Sequence, residues 1–186
     1  MEADWSVEIG KGLPVIAAPW EGWIDLRKAP SRIREIPEAL ANPSLAQALA
    51  HLNSPQSPVF TSKCDRWHLP ADEIDPFEFD ASQEESRTGL ACYVDILLRD
   101  QNAFASFGAH ERWVLSASAA LRQLPLPQCR ADFVLRPAVF AHQEGFGITL
   151  YIAACSRNQA TAQSIFESAL NRTIAITIET SPSVGE

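Results

Sequence analysis

The chain lacks the short signatures of common enzyme classes. It has no G-x-S-x-G elbow, no P-loop, no G-x-G-x-x-G at a strand end, no H-E-x-x-H and no C-x-x-C. No apolar run is long enough to span a bilayer. The opening residues, MEADWSVEIG, are acidic and have neither the basic nor the apolar region of a secretory signal. A reducing cytoplasmic setting is therefore expected, in which the four cysteines are thiols. Lysine and arginine are absent from residues 72 to 85, where Asp72, Glu73, Asp75, Glu78, Asp80, Glu84 and Glu85 stand. These seven acids nearly account for the net charge of −8, whereas in residues 91 to 180 seven arginines balance seven acids. The acidity belongs to a connector and not to the core.

What is present is an ordinary globular composition, 46% hydrophobic and 20% charged, in a chain long enough to bury one sizeable core. Residues 91 to 179 alternate between two periods. Cys92, Val94, Ile96 and Leu98 alternate with Tyr93, Asp95, Leu97 and Arg99, as in a strand with one core face. Residues 103 to 124 follow helical spacing and stop at Pro125. ADFVLRPAVF (131 to 140) reads as a strand whose Pro137 demands an edge position or a bulge. FGITLYIAAC (146 to 155) reads as another strand, and Asn158 caps a helix through Leu170. TIAITIE (173 to 179) places Ile174, Ile176 and Ile178 on one face of a last strand. The sum is βαββαβ, the order of a ferredoxin-like α+β sandwich with an antiparallel or mixed sheet.

The first 68 residues suggest a strand–helix–strand extension. Val7–Ile9 and Pro14–Ala18 flank Gly10-Lys11-Gly12 as a hairpin, Trp23–Leu26 suggests a strand, and 31–41 and 43–52 suggest helices parted by Asn42-Pro43. Residues 59 to 67 read as a strand. The expected organisation is one domain with this extension (1–68), the acidic connector (69–90), the βαββαβ unit (91–179) and a flexible tail (180–186). Within the connector, Phe77 and Phe79 alternate with acids as in a short strand.

Reactive groups are sparse. Cys64 and His68 fall in the densest cluster, CDRWH, but four residues along a strand are about 13 Å, too far for the base to reach the thiol. His110-Glu111 is a second candidate, with His110 on the apolar side of its helix. No further ligands accompany Cys64 and His68, so neither a metal nor a cofactor is expected.

The βαββαβ order is shared with the RNA-recognition motif, and Cys92–Leu97 and Gly145–Tyr151 resemble its two strand signatures in part. Glu144 stands where that family has a basic residue, and Ile148 where it has a stacking aromatic. With no cluster of Lys or Arg, nucleic acid is not an expected partner. A sharper expectation concerns the sheet face turned away from the helices. Its candidate contact residues are Tyr93, Asp95, Arg99 and Tyr151, and with Leu97, Thr149 and Ala153 they make a mixed set too apolar to be left wholly in water. The N-terminal part, a second copy of the chain, or a ligand should cover it. The leading expectation is a non-catalytic binding or interaction module, a homodimer or the receptor of a basic protein. The alternative is a small-molecule enzyme with its site between the N-terminal part and the sheet, using some of Cys64, His68, His110 and Glu111.

Overall fold

A computed structural model describes residues 1–10, 12 and 14–182. Lys11 of the expected hairpin and the last four residues of the expected tail lie outside this set. The described chain is α+β, with six strands in one mixed sheet. These are β1 (Glu2–Val7), β2 (Ile16–Ala18), β3 (Val59–Pro70), β4 (Thr88–Leu98), β5 (Cys129–Phe140) and β6 (Gln143–Ser156). The order across the sheet is β1-β5-β6-β4-β3, and β2 also pairs with β5. β3, β4, β6 and β5 are antiparallel in turn, while β1 and β2 run parallel to β5. The helices are α1 (Pro37–Ala41), α2 (Pro43–Leu52), α3 (Gln101–Ala105), α4 (Phe107–Arg122) and α5 (Gln159–Glu179).

The strands at 88–98, 129–140 and 143–156 lie where the period-2 pattern puts them, and β4 and β6 are central. The expected sixth element is different. TIAITIE is the C-terminal part of α5, not a strand, so residues 91–179 run β4, α3, α4, β5, β6, α5 and end on a helix. No Gly, Pro or polar turn separates Leu170 from Thr173. Phe166, Ala169, Leu170, Thr173, Ile174 and Thr177 are buried at helical spacing, and this packing overrides the β preference of the isoleucines. β3, from the N-terminal part, takes the place beside β4.

Other expectations change for local reasons. The segment 103–124 is two helices, broken at Ser106, which is extended (φ −98°, ψ 110°) and whose Oγ accepts from the Ala109 N–H. Residues 31–41 divide at Pro37: a 3-10 turn covers Pro30–Glu35, and Ile36 is extended, as a residue before proline favours. No strand forms at Trp23–Leu26, and Phe77 and Phe79 lie in a 3-10 turn (Pro76–Phe79) that buries only Phe79. β1 and β2 do not form a hairpin. They are two pieces laid along β5, at Arg130–Leu135 and at Ala138–Phe140. Pro137 explains the gap. The Leu135 carbonyl accepts from the Glu8 N–H, so it faces the β1 side. N–H and C=O directions alternate along a strand, which points the missing N–H of Pro137 to that same side. β5 is thus not an edge strand. Its parallel neighbour is interrupted where no donor exists.

One face of the sheet carries the helices. Val94, Ile96, Phe133, Ile148 and Leu150 join Trp113, Val114, Leu121, Phe166 and Leu170 in the main core. The opposite face is concave. A flat sheet would hold β2 and β3, four spacings apart, about 19 Å from each other. Ser62 Oγ of β3 nevertheless donates to the Ala17 carbonyl of β2 at 2.5 Å, and Phe60 meets Phe140 of β5 at 4.9 Å between ring centroids. The sheet curls around this end but stays open, because a side chain and not a strand ladder makes the β2–β3 link.

Two covers lie on the concave face, each over a glycine of a central strand. At one end, Ile16 and Leu97 reach the backbone at Gly147, where an added Cβ would stand 2.9 Å from Leu97 Cδ2 and 3.0 Å from Ile16 Cδ1. At the other end, Ile74 and Phe79 of the connector are buried with Cys155. A Cβ on Gly89 would there stand 2.8 Å from the Ala154 carbonyl. Gly89→Ala is expected to lose about 1–3 kcal/mol of stability, because rigid backbone must shift. Gly10→Ala, with nothing within 4 Å, should change it by less than about 0.5 kcal/mol. Urea midpoints of the two variants check both expectations.

Candidate functional site

Between the two covers, the middle of the concave face is left open. Trp67 of β3, Tyr93 of β4 and Tyr151 of β6 stand side by side on adjacent strands, with ring centroids 6.4 and 6.0 Å apart. Register makes this row: Trp67 is opposite Ala91, two residues from Tyr93, and Tyr93 is opposite Tyr151. Trp67 is 36% exposed and the tyrosines are half-buried.

A polar chain runs behind the row. Thr149 Oγ1 donates to Asp95 Oδ1 at 2.6 Å and accepts from Arg136 Nη1 at 2.9 Å. Arg136 Nη1 also reaches the Tyr151 hydroxyl at 3.4 Å, and its Nη2 pairs with Glu8 at 2.7 Å. Asp95 is buried, and desolvation pushes its carboxyl above the ordinary 3.8 despite the Thr149 bond and the Arg136 charge. Burial, then the Asp95 and Asp65 charges, push the Tyr93 phenol up as well. On the connector side, Arg130 pairs with Glu78 at 2.6 Å and with Asp132 at 2.7 Å, tying that cover to β5.

Three of the four residues expected on this face are there: Tyr93, Asp95 and Tyr151. Arg99 is not. β4 ends at Leu98, and the Arg99 guanidinium donates to the carbonyls of Val59, Asn53 and Ser54 at 2.8 to 3.0 Å, holding the end of α2. Arg136 supplies the cation that the sequence reading assigned to Arg99. Its alternation with Phe133 and Leu135 marks its side of β5, but its neighbours depend on strand order.

The expected catalytic groups are dispersed. Cys64 and His68 share β3, an extended strand, so about 13 Å of chain separates them. Cys64 is half-buried, and burial, followed by the charges of Glu38 and Asp65, pushes its thiol up to about 12. It is therefore a neutral thiol at physiological pH, not an activated nucleophile. His68 is exposed and meets Gln159 at 3.2 Å. His110 is fully buried, its ring 6.2 Å from Trp113 and 6.0 Å from Phe146, with Nδ1 donating to the Ser106 carbonyl at 2.9 Å. Desolvation lowers its pKa and favours the neutral ring. Glu111 follows it on α4, about 100° round the helix. Among the described residues, no group of three or more His, Cys, Asp or Glu could hold a metal ion, and no helix is long and apolar enough to cross a membrane.

At the margin of the open face, a cleft of about 400 Å³ lies between the Trp20–Leu26 stretch, the Glu35–Glu38 turn and residues 61–65 of β3. Cys64 and Tyr93 line it; neither histidine of the expected catalytic set does. The outer backbone of β3 is guarded: the Arg66 N–H is taken by Asp65 Oδ1 at 2.7 Å, the strand is bulged between Thr61 and Cys64, and Pro70 closes it.

No protein-family model, curated protein or solved structure matches the chain.

The buried Asp95 generates a pH prediction. A carboxyl whose pKa is higher in the folded than in the unfolded state binds its proton more tightly when folded. Folding is then most favoured with Asp95 protonated, and stability falls as pH rises from about 3.8 through the raised value. Asp95→Asn removes this penalty while its side-chain oxygen can still accept from Thr149. Urea unfolding across pH should show the variant gaining on wild type as pH rises through that window.

Proposed function

We propose that the protein is a non-catalytic binding module whose open concave face receives a basic segment of a partner protein. The observation that carries this reading is the uncovered row of Trp67, Tyr93 and Tyr151 between two covers. Flat aromatic faces in a trough offer area at little entropic cost, and they attract guanidinium and ammonium groups. The charge around the row selects the sign of the partner. Asp72, Glu73, Asp80 and Glu84 of the neighbouring connector have no ion pair among the described residues, and Asp65 rims the row at β3. Phosphate-bearing partners are opposed by that same field. Addition of a strand at β3 is opposed by the guarded edge, so the partner lies across the face and not along the margin. The enzyme alternative has weaker support, because its four candidate groups do not converge and Cys64 stays protonated.

The test is binding of a short peptide of alternating arginine and serine, followed by calorimetry at low salt. Tyr151→Ala and Trp67→Ala change no charge, yet each should weaken binding about tenfold if the rings are contact residues. A glutamate–serine peptide should not bind. Wild-type affinity in both variants would overturn the reading. So would a stable dimer in solution in which both Tyr151 and Trp67 are protected, which would make a second copy the occupant.

A further inference from the structure

The cleft beside the open face has a character of its own. Trp20, 40% exposed, forms one wall, and Tyr93 joins the cleft to the aromatic row. Its carboxylates are Glu35, Glu38 and Asp65. Glu35 is paired with Arg32 at 2.8 Å, whereas Glu38 and Asp65 have no ion pair among the described residues. One cation is already inside: Lys63 Nζ stands 5.6 Å from the centroid of the Trp20 ring. Lys63 sits where β3 loses register against β4, between Thr61 and Cys64, and a bulge re-aims a side chain that would otherwise follow the strand alternation.

A cation held over an aromatic face, in a cleft with two unpaired carboxylates, marks a seat for positive charge. We infer that this cleft is a receptor for a single alkylammonium or alkylguanidinium side chain, and that Lys63 is its intramolecular occupant, displaced when a partner's side chain enters. The inference rests on the proposed binding of a basic segment and specifies where one of its lysines or arginines goes. The volume of about 400 Å³ is large enough for such a side chain, and the exposed Lys63 has open solvent into which to turn. Exchange of one cation for another leaves the number of positive charges in the cleft unchanged.

The test uses butylammonium and butylguanidinium, which are too short to span the aromatic row, observed by the amide and indole NMR signals of the whole chain. Both should shift the signals of Trp20 and residues 61–65, and butanol should not. Lys63→Met removes the resident cation and should tighten binding by about threefold, and Glu38→Gln should weaken it by a similar factor. Lys28→Gln, a charge removed at an exposed site outside the cleft, should leave the affinity as in wild type. Absence of shifts at Trp20, or no gain in Lys63→Met, would overturn the inference. The two readings fail separately. Arginine–serine peptide binding that depends on Tyr151 but leaves Trp20 unshifted sinks the seat alone. Butylguanidinium at Trp20 with a peptide indifferent to both Tyr151→Ala and Trp67→Ala sinks the open-face reading alone.

Discussion

The curl of the sheet is the constraint on which the rest of the molecule depends. It is held where Ser62 bonds to the Ala17 carbonyl and where Phe60 and Phe140 meet across two intervening strands. Arg27 closes that cluster, its guanidinium 3.8 Å from the Phe60 ring centroid and doubly bonded to Asp25 at 2.7 and 2.8 Å. A flat sheet would present the second face as a broad plane, with Trp67, Tyr93 and Tyr151 spread in water. Curling gathers them into a trough and lets β2, from one edge, reach β3 at the other. The same bend sets the Trp20–Leu26 stretch against β3, which makes the cleft.

Packing and charge divide the labour across the two faces. The helix side is apolar and continuous, and its side chains include the only wholly buried imidazole, His110, among the described residues. The concave side is patchwork: an aromatic plug at one end, an open aromatic row, and an acidic cover pinned by Ile74 and Phe79 at the other. That cover is thin. It holds on by two apolar anchors, the Arg130–Glu78 pair and a bond from Gln128 to Glu85 at 2.7 Å, while Asp72, Glu73, Asp80 and Glu84 face water. The acidity is therefore displayed beside the open row instead of being neutralised in it.

Much of this was legible in the sequence, and the limits have physical causes. Strong alternation gave β4, β5 and β6, since each has one face buried along most of its length. The helical spacing of Ala162 to Leu170 gave the start of α5, but the isoleucines of TIAITIE favour strands when read alone. Only the contacts of Thr173, Ile174 and Thr177 with the core decide for helix. Tyr93, Asp95 and Tyr151 were recoverable from period 2. Trp67 and Arg136 were not recoverable as their neighbours, because they come from β3 and β5, whose places in the sheet no local pattern encodes. Arg99 was misplaced by one residue of strand length: β4 stops at Leu98, and the next side chain turns to the carbonyls at the end of α2. The parallel pairing of β1 and β2 has no local signal, although Pro137 announced an irregularity.

That irregularity makes a tolerant joint. β1 is registered by Glu2 to Val7 against Arg130 to Leu135, and β2 is registered separately by Ile16 to Ala18 against Ala138 to Phe140. Each half of the edge has its own anchors, so the residues between them transmit no register from one to the other. The chain there can lengthen at a small entropic cost, of the order of 0.6 kcal/mol for a doubling, without moving a single residue of the trough. A proline that removes one donor thus uncouples the length of the N-terminal segment from the geometry of the face behind it.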